Sequence, residues 1–581
     1  MIHIKNHHQK ELFDPWASIS PKRRRLLDQS WPGLFRNEIL KELPVGKLAP
    51  FFRAHFGRPT KELYTVLGSL VLQQTHDLTD EETVDQLAFN IQWHYALNIT
   101  EESDAAKYLC PKTLWNMRSM VVHHALDTIL FERITNKLAD VFKVNTDMQR
   151  IDSVHVKSNM RRLGRISIFA KSIRAFLVNL KRNHHDLFDT VDNDMVDKYL
   201  PEKALRCFSR VKPSESSKTL TSVSNDLFAL VQQFKGHPEV ARMRSFMLLE
   251  RVLKEQCTLN ESDSQEPVAV KPPREIPSQS LQNPSDPDAT YSGHKGQGYQ
   301  VQIMETYSAT EDKEAKSTTL NLITHVQVEP AHESDATALM SAVRSTQQRG
   351  LGPQEALADA LYGSDDNCRN AEEHGVEVIA PTMGDRKTDA LSLADFETSP
   401  QGTVLSCPQS HAPVRVKKKN TRHTAAFDSE QCRRCPHQGS CPVKPGTSHH
   451  YLRYTDKDLR LALRRAYEQT DAFKDRYRWR AGIEATMSEY DRRTGVKHLR
   501  VRGLPAVRFC ATLKALGINI LRAAAVLMAL TPAPKAGIPG TLSLNHAFSI
   551  VKERFLSLCR YLKNILSITV HYPSPMHINV S

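Results

Sequence analysis

Three acidic residues stand in settings where a carboxylate could do chemistry. Asp152 lies between Ile151 and Ser153 in the run MQRIDSVHV at 148–156. That run alternates and is rich in β-formers, as a central strand is, and a charged Asp there is costly unless paired or metal-bound. Asp359 falls near the end of a second short strand, 356–361, within ALADALYG. In open α/β sheets ligands gather at the carboxyl ends of strands. Glu484 belongs to Tyr477-x-x-Arg480-x-x-x-Glu484, a spacing that puts all three residues on one helical face, with Arg480 close enough to orient the carboxylate. Three carboxylates from distant positions suit Mg²⁺ or Mn²⁺, hard ions that prefer oxygen ligands. Two such ions about 3.5–4 Å apart serve in-line displacement at phosphorus.

Four cysteines form a second cluster. Cys432-x-x-Cys435 has zinc-pair spacing, and Cys407 and Cys441 could complete a tetrahedral four-thiolate Zn²⁺ site. Reduced, unliganded thiols are the alternative. The other six cysteines, Cys110, Cys207, Cys257, Cys368, Cys510 and Cys559, are scattered singly. His55, His76 and His94 show no ligand spacing, and core or surface roles are expected for them.

The elements that must position these groups follow from periodicity. Leu63, Leu67, Leu70 and Val71 share one helical face. Thr79 and Glu82 form a capping-box pattern ahead of Val84, Leu87, Ala88 and Ile91. Residues 1–145 read as a helical domain with a loosely structured start. Residues 160–260 return to helix, and 261–290 read as a Ser/Pro-rich loop. Strands are predicted at 299–306, 322–328, 356–361 and 376–379, with helices at 335–346 and 366–373, an α/β pattern with a mixed sheet. Residues 385–450 show little regular pattern, 456–530 are strongly helical, 532–539 read as a linker, and 546–567 as one amphipathic helix.

The chain has 581 residues and a net charge of +13, unevenly spread. Residues 411–530 hold 25 Lys and Arg against 10 Asp and Glu, so the rest of the chain is slightly acidic. A local basic surplus points to a polyanionic partner, with 417–419 and the Arg-rich stretch 476–500 as the phosphate-contact candidates. The most apolar stretch, 515–530, is interrupted by Asn519 and Arg522, and the N-terminus has no apolar leader region, so no membrane partner is expected.

Several segments resemble the DDE transposases of bacterial insertion sequences. HFGRPTKELYTVLGSLVLQQTHDLTDEETVDQLAFNIQWHYALNI and PKTLWNMR look like that family's N-terminal domain. RIDSVHVKSNMRR, DPDATYSGHKGQGYQVQI, ALADALYGSDDN and YRWRAGIEATMSEYDRRTGVKHLRVRGLPAVRFCATLKALGINILR look like its first-acid motif, hairpin, second-acid motif and third-acid helix, in that order. The resemblance implies an RNase H-like α/β catalytic core over 146–530. Two insertions are implied, a helical one at 160–285 and a cysteine-bearing one at 385–450. A DNA-binding helical domain over 1–145 precedes the core, and a linker with a terminal helix over 531–581 follows it. It implies a mobile-element transposase with Asp152, Asp359 and Glu484 catalytic and holding two Mg²⁺ or Mn²⁺ ions. Metal-activated water cleaves the element's ends, and the freed 3′-OH attacks target DNA. DNA contacts are expected from Tyr477, Arg480, Arg492, Arg493, Lys497 and Arg500. The family often has Lys seven residues after the glutamate, where this chain has Asp491 followed by Arg492 and Arg493. The partners implied are double-stranded DNA, as terminal inverted repeats and target, and a second copy in a homodimer on DNA. The location implied is the bacterial cytoplasm, at the nucleoid. A metal-dependent nuclease that cleaves without joining, and an inactive DNA-binding derivative, are the competing readings.

Overall fold

A computed structural model describes residues 2–9, 14–53, 59–201, 211–260, 267–384 and 390–531. His55, Cys207, Cys559 and the segments 532–539 and 546–567 lie outside the described residues. The helices used below are α1 (Leu63–Thr75), α2 (Asp80–Phe89) and α3 (Leu126–Phe142), followed by strand β1 (Met148–Val156). After β1 come α4 (Arg165–Asn183), α5 (Ser216–Phe234) and α6 (Arg244–Gln256). Strands β2 (Thr290–Ser292), β3 (Gly296–Thr306) and β4 (Ile323–Pro330) lead to α7 (Ala338–Gln348), β5 (Glu355–Leu357), α8 (Asp365–Glu373) and β6 (Glu377–Ile379). A second group of strands is β7 (Arg415–Lys419), β8 (Arg422–Phe427), β9 (Lys444–Pro445) and β10 (His450–Thr455). The chain then runs through α9 (Asp456–Tyr467), α10 (Asp471–Tyr477), α11 (Gly482–Thr494) and α12 (Leu504–Leu530).

The main sheet is mixed. β1 lies near its middle, antiparallel to β3 on one side and parallel to β5 on the other. β4 extends the antiparallel side, and β6 the parallel side. The β1–β3 ladder sets Arg150 opposite Glu305 and Asp152 opposite Ile303. The β1–β5 ladder pairs Met148 with Glu355 and Arg150 with Leu357, so the same offset carried two residues onward sets Asp152 level with Asp359. The expected strands at 148–156 and 299–306 and the helix at 366–373 are present to within three residues at either end. Residues 385–450, read as patternless, instead contain a four-stranded sheet ordered β7-β8-β10-β9 and a two-stranded pair. Its strands are short and polar on their outer faces, which hides the alternation that a sequence reading depends on.

The helices 63–142 are not packed apart from the sheet. Leu67, Leu70, Leu130 and Ile134 share one apolar core with Val301 and Ile303 of β3 and with Leu513, Leu516 and Ile520 of α12. The capping box is present, with the Thr79 hydroxyl accepting from Glu82 N–H and the Glu82 carboxylate accepting from Thr79 N–H. Between β1 and β2, helices α4, α5 and α6 close on a core of their own around Phe176, Leu227, Phe234 and Phe246. His94 is buried and lies 2.7 Å from the Leu87 carbonyl, a core role.

Helix α12 is long and apolar enough to cross a membrane by length and composition, yet 61% of its apolar window is buried inside the protein. It docks by more than apolar contact. The fully buried Asn519 donates to Ile323 O at 2.8 Å and accepts from Ile323 N–H at 2.8 Å, filling backbone positions of β4 that no strand covers. An apolar side chain there would leave two buried backbone groups unpaired, at about 1–3 kcal/mol each. Asn519→Leu is therefore expected to lower stability by about 2–4 kcal/mol, read as a shifted denaturant midpoint; an unchanged midpoint would show that water takes over the bonds.

Candidate active site

The site is built from the strand ends and one interrupted helix. Asp152 points from the half of β1 that runs past the end of β5, and is partly buried. Asp359 lies two residues beyond β5, where the sequence predicted continuing strand. Its own carboxylate ends the strand early: Oδ1 accepts from Leu361 N–H at 2.8 Å and turns the chain. Tyr477, Arg480 and Glu484 were expected on one continuous helix. The helix breaks instead, with α10 ending at Tyr477, a 3₁₀ turn at Arg478–Ala481, and α11 starting at Gly482.

Arg150 explains the break. Its guanidinium donates to the Trp479 carbonyl at 2.7 Å, taking a group that a regular helix would bond to its own chain. A Cβ on Gly482 would stand 2.1 Å from Arg150 Nη1, so only glycine admits this approach. Arg150 also pairs with Glu305 at 2.7 Å. Glu305, fully buried, accepts in addition from Thr486 of α11 at 2.7 Å and from Arg522 of α12 at 2.9 Å. One buried carboxylate thus ties β1, α11 and α12 together behind the acids.

In front of it, Arg480 lies between two of the acids. Nη2 is 2.7 Å from Asp152 Oδ2, and Nη1 is 3.2 Å from Glu484 Oε1. Glu484 is exposed and sits in the first turn of α11, where the helix dipole favours negative charge. Burial pushes the Asp152 carboxyl up to about 6. Arg480 and the Ser153 amide pull it down, and Glu484 and Asp359 push it up. The three acids are therefore close enough to feel one another. With a guanidinium between two of them, they do not form a ligating set: among the described residues no three His, Cys, Asp or Glu side chains are grouped to hold a metal ion.

The remaining basic residues are placed as follows. Tyr477 is half-buried, stacked on Phe473 with ring centroids 5.2 Å apart, and packed near Leu357 and Ile379, so its ring is first a core group. Arg492 and Arg493 line an open groove of ≈ 840 Å³ with Lys316 and Arg522, and Arg493 also pairs with Glu489 at 2.9 Å. Lys497 stands 3.7 Å from Asp491, and Arg500 is 3.2 Å from Asp77. Arg150, Glu305, Thr486 and Arg522 were not singled out from the sequence. The one available signal was a charged Glu305 among strand-forming residues. Lys295 was also missed; its ammonium reaches Ser153 Oγ at 2.8 Å and Asp335 at 3.5 Å, beside the first acid.

Three carboxylates from separate segments thus lie near one another just past the end of β5, two of them held by one arginine. Residues 406–524 match the family model described as transposase DDE domain, and residues 26–120 match the one described as transposase domain (DUF772). These two matched domains, in this order, support a transposase function for the chain. No curated protein matches. A solved structure titled as the cryo-EM structure of a piggyBac transposase synaptic complex with hairpin DNA is 7% identical over 95% of this chain and 86% of its own, with a TM-score of 0.27, too low for a shared fold to be argued from it.

Two outcomes follow from this geometry. The raised pKa means that the folded state holds the Asp152 proton more tightly than the unfolded state does. That stability is fully present below pH 3.8 and is lost as pH rises through about 6. Without divalent ions, Asp152→Asn should then stabilise the protein at pH 7 by at most about 3 kcal/mol, and the gain should vanish near pH 3.8; melting curves at both pH values decide it. Glu305→Ala leaves two buried arginines without their carboxylate and should cost about 3–5 kcal/mol. A denaturation midpoint equal to wild type would remove Glu305 from its place behind the site.

Proposed function

We propose that this transposase cuts DNA at the ends of a mobile element and joins the freed 3′ ends to target DNA, with Asp152, Asp359 and Glu484 as the catalytic carboxylates. The observation that carries the reading is the arrangement around Arg480. Two acids, one mid-sheet and one at a helix start, face this one cation, and a third, past a strand end, lies within electrostatic reach of the first. The strand arrangement supports an RNase H-like core over 146–530. On one side of β1, β3 runs antiparallel and pairs with both β2 and β4, and on the other side β5 and β6 run parallel. Helical (160–285) and cysteine-bearing (385–450) insertions would interrupt that core, with residues 1–145 as the DNA-end-binding domain.

The donor set fits divalent cations of the Mg²⁺ or Mn²⁺ kind. It is all oxygen, it carries more negative charge than Arg480 offsets, and it already holds a cationic group between Asp152 and Glu484. Two such ions, when bound, supply Lewis-acid activation of the attacking and leaving oxygens. The chain's own part is positional. Asp152 must be ionised to serve as a ligand, and burial raises its carboxyl to about 6 when no cation is bound. Arg480 keeps the Asp152 and Glu484 carboxylates facing each other. Arg492, with Lys316 in the groove along α11, is placed to take a DNA phosphate, and Arg493, Lys497 and Arg500 can exchange carboxylate partners for phosphate. Tyr477 would bound the site as a packed wall beside the DNA. Two element ends must be paired for joining, so the reading includes a homodimer on DNA, in the bacterial cytoplasm.

The test uses oligonucleotides that carry the element's terminal repeats. Asp152→Asn, Asp359→Asn and Glu484→Gln should each cut cleavage on the order of 10³-fold while DNA binding is retained. Wild-type activity in any one of them removes that residue from the set. Precut ends separate the alternatives: joining to target DNA is expected, and cleavage with no joining would make the protein a nuclease.

A further inference from the structure

The four clustered cysteines come from separate parts of the small body around β7–β10. Cys407 follows the short strand Val404–Ser406, Cys432 lies on the helix Ser429–Arg433, and Cys435 and Cys441 lie in the loop beyond. Local backbone bonds bring them to one place. Cys407 N–H donates to His411 O at 3.0 Å, in a turn that holds Ser410 at φ +59. Cys435 N–H donates to Cys432 O at 3.3 Å, folding the Cys-x-x-Cys segment on itself. All four side chains line a single cavity of ≈ 40 Å³, with Phe427 and Val443 among its walls and no carboxylate in its lining. One water needs roughly 10–15 Å³ of such space, so the cavity takes an ion or a few waters. All four are free thiols, half-buried, and Cys407, Cys432 and Cys441 pack against the apolar core of Val404, Phe427 and Leu452. Burial and the other three cysteines push the Cys432 thiol up to about 11, which places the four within electrostatic reach of one another.

Single cysteines pack well as small apolar groups, but four lining one small cavity have a common chemistry. We propose that Cys407, Cys432, Cys435 and Cys441 bind one structural Zn²⁺ as four thiolates. Soft sulfur donors select zinc over the hard ions of the carboxylate site, and a Cys-x-x-Cys pair with two further thiolates gives the closed tetrahedral form of structural sites. The sulfurs are not packed as a ligating set. Closure therefore needs them to turn inward about their side-chain bonds, on a backbone already held by the turns. Four thiol protons leave to solvent as the ion binds. The complex carries two negative charges, and the Lys444 ammonium is close enough to Cys441 to favour its thiolate. The ion would pin the turn at Cys407 to the loop 432–441 and so brace the sheet whose outer strand, β7, presents Arg415, Lys417, Lys418 and Lys419 to solvent.

The site is separate from the acids, and its test does not depend on transposition. The full-length chain, purified without added metal and dialysed, should contain one zinc per chain by elemental analysis. A mercurial, which caps the four sulfurs as it displaces the metal, should release one zinc per chain to a colorimetric chelator. Cobalt exchanged into the site should show intense thiolate-to-metal charge-transfer absorption. Cys432→Ser and Cys441→Ser should each lower zinc content at least tenfold, while Asp152→Asn keeps one zinc per chain. If the serine variants do not fold, the cobalt spectrum and metal release from the wild-type chain decide alone. A chain that holds no zinc as purified and gives no cobalt charge-transfer band, or zinc content unchanged in Cys432→Ser, overturns the proposal. Loss of cleavage in the acid variants would leave it untouched.

Discussion

A single buried carboxylate sets the frame of the site. Glu305 has no exposure to solvent and lies opposite Arg150 in the central ladder. An unpaired carboxylate there would cost several kcal/mol, so it must be met by positive charge, and it is met twice, by Arg150 and Arg522, with the Thr486 hydroxyl as a third partner. Those partners belong to three different elements. An apolar trio could fill the same volume, but it would not select which turn of α11 faces β1. Directional charge-assisted bonds do select it, and the turn they select carries Arg480 and begins the helix of Glu484.

The acids in front of this frame are balanced the opposite way. Glu305 has two arginines to one carboxylate; the site has one arginine to three. Burial first, and the two other acids after it, raise Asp152 to about 6 although Arg480 is 2.7 Å away. Much of the basic surplus of 411–530 is spent elsewhere within the fold. Arg460 holds Asp365, Arg476 holds Glu355 and Glu377, and Arg508 holds the buried Asp127. What remains for a polyanion is therefore narrower than net charge suggests. It is concentrated on β7 and along the Arg492 side of α11.

Sequence reading found the elements that announce themselves by periodicity or capping. β1, the Thr79 capping box and the helix at 366–373 all have local signals that tertiary contacts do not override. The acids were legible because each sat in a distinct local setting. The break between Tyr477 and Glu484 was not legible, because its cause is Arg150, more than 300 positions away in the chain. The small sheet was hidden for a different reason. Its strands are exposed on one side and rich in Lys and Arg, so alternation was masked by charge. Asp286 and Asp288 in the hairpin motif show a third kind of limit. They stand as loop acids in the sequence, yet they accept from Gly503 and Leu504 N–H and cap the start of α12.

The regions matched by the two transposase models meet on α12. Its apolar face packs against α1 and α3, and Asn519 fixes it to β4, so no flexible linker sets the relation between them. One polar contact makes that relation specific. Asp77, in the tight turn before the Thr79 cap and at φ 52, takes Lys514 at 2.6 Å and Arg500 at 3.2 Å, next to Gly495 where α11 ends in a left-handed turn. Lys514 is almost fully buried, and its ammonium is met by Asp77 and by the Thr494 carbonyl near the end of α11. The turn that opens α2 is thus locked to the end of the helix that begins with Glu484. A displacement of the N-terminal helices must either strand a buried ammonium or carry α11 with it, and the second costs less.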